Sequence, residues 1–106
     1  MKKSIFKNLF KVEQLLNKNQ FLLIGSNALI FQSYNSIIAF YDRESQQLTL
    51  FKDWDYSNTT RKHLYYFMLN YCAWKYGEII AYTNNKRKAI QEAIKSHKIA
   101  FTKEVK

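Results

Sequence analysis

FLLIGSNALIFQSYNSIIAFYDRESQQLTLF, residues 21–51, sets the reading of the whole chain. Phe21–Ile24 is a short apolar run, and Gly25, Ser26 and Asn27 form a turn signal after it. Ala28–Gln32 and Ser36–Asp42 are rich in Ile, Phe and Tyr, with Ser33, Tyr34 and Asn35 between them. Asp42–Gln46 reads as a hairpin loop. Leu48 and Leu50 then resume an alternation that Trp54 is placed to continue. β-branched and aromatic residues in short runs between turn residues suit strands, so this stretch predicts a meander of three or four antiparallel strands.

On its N-terminal side, Ser4–Asn19 has helical spacing. Ile5, Leu9, Val12 and Leu16 fall at i, i+4, i+7 and i+11, the stripe of a half-buried helix. At ~100° per residue, Lys7, Lys11 and Lys18 gather within about 40° on the opposite side. On the C-terminal side, Ser57, Asn58 and Thr59 are candidate N-caps, because their side-chain oxygens accept from the exposed N–H groups of a first helical turn. The spacing predicts a helix from there to about Tyr76. Leu64, Phe67, Met68, Tyr71 and Cys72 face inward, His63 sits at the edge, and Gly77 ends it. Glu78–Tyr82 reads as a short strand or an extended link. A last helix follows, capped by Thr83 or Asn84 and running to about His97. It turns Ala89, Ile90, Ala93, Ile94 and His97 inward, and Arg87, Lys88, Gln91, Lys95 and Lys98 outward. Ile99–Val105 ends the chain as a strand or loosely. The expected fold is one α+β domain over residues 1–106: an N-terminal helix, a three- or four-stranded antiparallel sheet, and two C-terminal helices packed on the sheet.

Composition narrows the function. Seventeen Lys and Arg stand against eight Asp and Glu, a formal net charge of +9. The apolar share of 47% is too high for a chain kept disordered by its charge. The basic excess lies at the ends, in residues 1–20 and 84–106, around a neutral middle that holds most of the aromatics. A single cysteine, Cys72, forms no internal disulfide, which fits a reducing compartment. The longest apolar runs are far short of the ~20 residues of a membrane span, and Lys7 and Lys11 interrupt the opening run. A cytoplasmic protein without membrane attachment is expected.

Little points to catalysis. His63, His97 and Cys72 show no metal-ligand spacing. Asp42 with Glu44, and Asp53 with Asp55, could hold a divalent cation for phosphodiester cleavage. Alternating acids in loops are more often turn and capping groups, however. Two glycines leave no phosphate-cradling loop. The expectation is no catalytic residue, no metal and no cofactor, with a metal-dependent nuclease as the lowest-ranked alternative.

The basic faces match phosphate-backbone binding. Lys7, Lys11 and Lys18 form one, and Arg87, Lys88, Lys95 and Lys98 another. Arg61 and Lys62 add a third group at a helix start, where the dipole favours anions. Among the aromatics, Phe67, Tyr71 and Phe40 read as core. Tyr34, Tyr65, Tyr66 and Trp54 read as better candidates for exposure, with Tyr34 and Tyr66 placed to stack on unpaired bases.

The run from Ser33 to Phe67 resembles a family of small proteins from phages and other mobile elements of low-GC bacteria. Ser33, Tyr34 and Ser36 lead a strand in that pattern, and Tyr56, Ser57, Thr59, Thr60, Lys62 and His63 open a helix. The resemblance covers about a third of the chain and implies a phage origin. Small phage accessory proteins often inhibit host defences such as CRISPR and restriction systems. Many such inhibitors are acidic mimics of nucleic acid; this chain is basic. The function expected is therefore a non-enzymatic phage protein that binds RNA or single-stranded DNA, within a host nucleoprotein such as a CRISPR effector, and blocks it. The alternative is a protein-binding module that docks on an acidic host protein.

Overall fold

Six strands form one sheet whose spatial order follows the chain. They are β1 (Leu9–Gln14), β2 (Gln20–Gly25), β3 (Ala28–Ser33), β4 (Ser36–Asp42), β5 (Gln47–Phe51) and β6 (Ala100–Thr102). This is a computed structural model, and it describes residues 9–15 and 18–104. β1 to β5 pair antiparallel, whereas β6 returns parallel to β5. Between β5 and β6 the chain makes a 3-10 turn (Lys52–Asp55) and three helices: α1 (Asn58–Tyr71), α2 (Trp74–Ala81) and α3 (Lys86–Lys95).

The core lies between the sheet and these helices. Leu22, Phe31, Ala39, Leu48 and Leu50 of the sheet meet Leu64, Phe67, Met68, Ile80 and Ile90 of the helices, all fully buried. The Phe31 and Phe67 rings stack at 6.0 Å. The strand alternation of residues 21–51 thus supplies one apolar face, which the helices cover.

The expected architecture needs correction in three places. First, no N-terminal helix is present among the described residues; Leu9–Gln14 is the edge strand β1. Residues 4–8, 16 and 17 of the expected helix, with Lys7, lie outside the described residues. Lys11 and Glu13 form an ion pair at 2.8 Å. That i, i+2 contact is natural on one face of a strand and absent from a helix surface. The apolar stripe at residues 9 and 12 is compatible with either period over so short a segment. The unpaired backbone edge of β2 settles it, because β1 satisfies those N–H and C=O groups. The sheet accordingly has six strands and mixed direction.

Second, three helices follow the sheet. The central helix stops at Tyr71 because Cys72 is extended, and the Tyr41 hydroxyl accepts from the Ala73 N–H at 3.1 Å. Trp74 then opens α2, and two residues on the Tyr76 hydroxyl accepts from Leu48 N–H at 3.0 Å. Gly77, expected as a terminator, sits inside α2. A Cβ there would meet the Trp74 ring at 2.9 Å. Glu78–Ala81 is helical as well.

Third, burial differs at several side chains. Trp54 is buried in the core, Tyr65 and Tyr66 are half-buried, and Phe40 is only half-buried. His63 is buried, its Nδ1–H donating to the Thr59 carbonyl at 2.9 Å. His97 is exposed beyond the end of α3, with φ 63°. There it takes the left-handed place usually given to glycine after a helix, and Lys98 N–H donates back to the Ala93 carbonyl at 2.9 Å.

Candidate functional site

One end of the sheet collects several loops. The β1–β2 turn with Lys18, the β3–β4 turn with Tyr34 and Asn35, the chain after β5 and the chain after β6 all reach it. The start of α1 is seated there by a direct bond, Ser33 Oγ to Thr60 Oγ1 at 2.9 Å. Ser57 caps α1 by accepting from Thr60 N–H at 3.1 Å. Tyr34 N–H donates to the Asn19 carbonyl at 2.7 Å, which ties the β3–β4 turn to the start of β2. That two-residue turn holds Tyr34 at φ 54°. A left-handed tyrosine is uncommon and costs on the order of 1 kcal/mol.

Between these parts lies a hollow of about 540 Å³. Ser33, Tyr34, Asn35 and Ser36 line it from the turn; Tyr56, Ser57, Thr59 and Thr60 line it from the start of α1. Asp53 and Ile38 complete it. Ser33, Tyr34, Ser36, Tyr56, Ser57, Thr59 and Thr60 are residues that the sequence reading set apart as a pattern. Two segments some 20 positions apart in the chain thus converge on one cavity. Tyr34 and Tyr56 are both exposed, 47% and 75% as residues. A second hollow of about 430 Å³ adjoins the first, sharing Asn35, Ser36 and Asp53, and adds Lys52, Lys103 and Glu104 to the same end.

Among the described residues, Asp53 is the only charged one lining the first hollow. Its half-buried carboxylate has no hydrogen-bond or ion-pair partner among the described residues. Asp55, two positions on, is the opposite. It takes Arg61 Nη1 at 2.7 Å and Arg87 Nη2 at 2.8 Å, and Arg87 Nε also donates to both its oxygens. Arg61 donates further to the Asp55 carbonyl and to Asn58 Oδ1. Burial alone would raise the Asp55 carboxyl; the bonds from Arg87 and Arg61 outweigh it and hold it below the ordinary carboxylate value. One carboxylate thereby clasps the 3-10 turn, α1 and α3.

The sequence-derived binding residues therefore separate. Arg61 and Arg87 are committed to Asp55. Lys11 is paired with Glu13, and Lys7 lies outside the described residues. Lys18 and Lys62 are exposed near the hollows, Lys18 on the turn beside Asn19 and Lys62 one turn into α1. Lys88 is exposed near the start of α3, while Lys95 ends that helix and Lys98 follows it, towards the opposite end of the sheet where β6 begins. Tyr34 lines the hollow. Tyr66 does not, and its ring meets Tyr71 edge-on at 6.1 Å. Sequence reasoning missed Asp53, Tyr56, Lys52 and Lys103 as a group. The Tyr-Ser-x-Thr-Thr stretch was the signal nearest to it.

Other chemistry has little to build on. Asp42 Oδ1 accepts from Glu44 N–H and Ser45 N–H, capping its own loop. No three His, Cys, Asp or Glu side chains among the described residues gather as metal ligands. Burial pushes the Cys72 thiol up to about 12, so it is protonated and a poor nucleophile near neutral pH. Gln20, paired across the sheet with Ser33, is fully buried and its carboxamide has no partner among the described residues. No helix among the described residues is long and apolar enough to cross a membrane.

The chain belongs to a family of unknown function, DUF8033, whose model matches residues 2–92. That span takes in both hollows except for the residues after β6. No curated protein and no solved structure matches the chain.

Proposed function

We propose that this member of the DUF8033 family is a non-enzymatic binder of single-stranded nucleic acid, RNA or DNA, acting at the loop-rich end of the sheet. The observation that carries the reading is the hollow lined by Tyr34, Tyr56 and several hydroxyls, with Lys52 and Lys103 in the hollow that adjoins it. Exposed aromatic faces stack unpaired bases without regard to sequence. Lys18, Lys52, Lys62 and Lys103 surround the same end and are free to meet phosphates. A base entering the hollow must be unpaired, since a duplex buries its faces in the stack. The wider reading is a phage or mobile-element protein, cytoplasmic in its bacterial host, that blocks a host defence nucleoprotein such as a CRISPR effector by binding its nucleic acid. The net charge of +9 supports attraction to a polyanion.

The test is fluorescence anisotropy with labelled single-stranded RNA and DNA over a salt series. Four lysine–phosphate contacts on a single strand give a slope of log K against log salt of about −3. Affinity that does not change with salt, or no binding at low salt, contradicts the proposal.

A second reading rests on a different observation. Trp74 and Tyr82 meet edge-to-face at 6.4 Å, 53% and 87% exposed, with Lys75 exposed beside them. Aromatic clusters of this kind anchor protein interfaces. It supports a module that docks on an acidic host protein without nucleic acid. Copurification with a defined protein after nuclease treatment, lost in Trp74→Ala, favours this second reading.

A further inference from the structure

We infer that the first hollow selects guanine among unpaired bases, through Asp53. This rests on the nucleic-acid reading above and assigns the base that the site takes. The other polar side chains lining the hollow are hydroxyls and the Asn35 carboxamide, which can each donate or accept. Asp53 is different. An ionised carboxylate only accepts, so it requires donors from the ligand.

The four bases differ in what they offer. Guanine presents two adjacent donors on its pairing edge, N1–H and N2–H2, which match the two oxygens of a carboxylate side by side. Adenine and cytosine offer one amine next to a ring-nitrogen acceptor, which would face the carboxylate charge. Uracil and thymine offer one N–H between two carbonyls. The pairing edge of guanine is free only when the base is unpaired, which agrees with a site on single strands.

Asp53 also explains what the hollow does not take. A phosphate at the N-terminus of α1 would be favoured by the helix dipole, but it would lie against the unneutralised carboxylate. Phosphates therefore fall to the lysines at this end of the sheet, among them Lys52 and Lys103 of the adjoining hollow, while the base enters. Tyr34 and Tyr56 supply the stacking surfaces.

The test uses the full chain and short uridine-rich single-stranded RNAs with one central guanine, inosine, adenine or uridine. Free GMP is a competitor, to separate base recognition in a strand from recognition of a mononucleotide. A bidentate contact discriminates by about 1–3 kcal/mol, or roughly 5- to 150-fold. The guanine strand is expected to bind tighter than the others by that factor. Inosine, which lacks N2–H2, should lose most of the advantage. Asp53→Asn should abolish the preference while leaving the salt slope and the circular dichroism spectrum unchanged. A guanine preference that survives in Asp53→Asn, or equal binding of guanine and inosine strands, overturns the assignment and leaves the nucleic-acid reading intact. If no strand binds at low salt, both fall. Inhibition by GMP at concentrations similar to the strand would transfer the site to a free guanine nucleotide and overturn the single-strand reading.

Discussion

Asp53 and Asp55 flank the buried Trp54 and differ in almost every respect. Asp55 is saturated by two arginines from two helices, and its carboxyl is held below its ordinary value. Asp53 lines two hollows and has no partner among the described residues. One short turn thus assigns one carboxylate to holding helices together and leaves the other facing an open cavity. Partnered charges report on the fold; an unpartnered one in a cavity is where a ligand is to be sought.

The largest expected effect comes from breaking the partnered side. Asp55→Ala leaves Arg61, whose side chain is only 19% exposed, without its counter-charge. A loss of about 2 kcal/mol is expected, within the range for hydrogen bonds to charged groups and below that for fully buried pairs. Asp53→Ala should stay within ~0.5 kcal/mol, as for other sites without partners. Urea unfolding of the two variants measures both; equal losses would remove the distinction. The same contrast has a pH form. A carboxyl depressed in the folded state adds stability above its unfolded value of about 4, and that stability is lost as pH falls through the folded value. Asp55→Asn should therefore flatten the acid limb of the stability curve below about pH 4.

A comparable effect is expected in binding. Tyr56→Ala should weaken single-strand affinity by ~1–3 kcal/mol with little change in stability, since the ring is 75% exposed. Anisotropy and thermal unfolding on the same samples check it. A stability loss larger than the affinity loss would place Tyr56 with the fold.

A smaller effect separates two kinds of unpartnered group. Gln20 also lacks partners, but it is fully buried opposite Ser33. Replacing it with Met keeps the volume and removes a desolvated carboxamide, so Gln20→Met should gain about 1 kcal/mol. Destabilisation measured by urea unfolding would contradict this. A gain of similar or smaller size is expected at Tyr34. Glycine there relieves the positive φ and should raise stability by ~0.5–1 kcal/mol while weakening binding, so the strain and the stacking surface belong to the same residue.

These residues also mark how far the sequence could be read. The alternation and turns of residues 21–51 prefigure β2 to β5, because each strand there is set by its own apolar period and the turn beside it. β1 was hidden, since a few apolar positions satisfy both helical and strand spacing and the decision rests on the open edge of β2. The break between α1 and α2 was hidden for a similar reason: the hydroxyl that meets Ala73 belongs to Tyr41, 32 positions upstream. In the site, Tyr34 was legible from its turn. Tyr56 stood in the pattern that opens α1, but its meeting with Tyr34 and Asp53 was not legible, because only the docking of α1 on Ser33 brings them to the same cavity. Arg61 and Arg87 looked like phosphate ligands in the sequence because their counter-ion, Asp55, is remote from Arg87 in the chain.

The most direct measurement is an amide chemical-shift map of the ¹⁵N-labelled protein titrated with a short single-stranded RNA. The expected result is a set of perturbations confined to Lys18–Gln20, Ser33–Ser36, Asp53–Lys62 and Lys103, growing with RNA and reversed by salt. Perturbations centred on α2 around Trp74 and Tyr82, on Lys95–Lys98, or on no residue at all would contradict the placement of nucleic-acid binding at this end of the sheet.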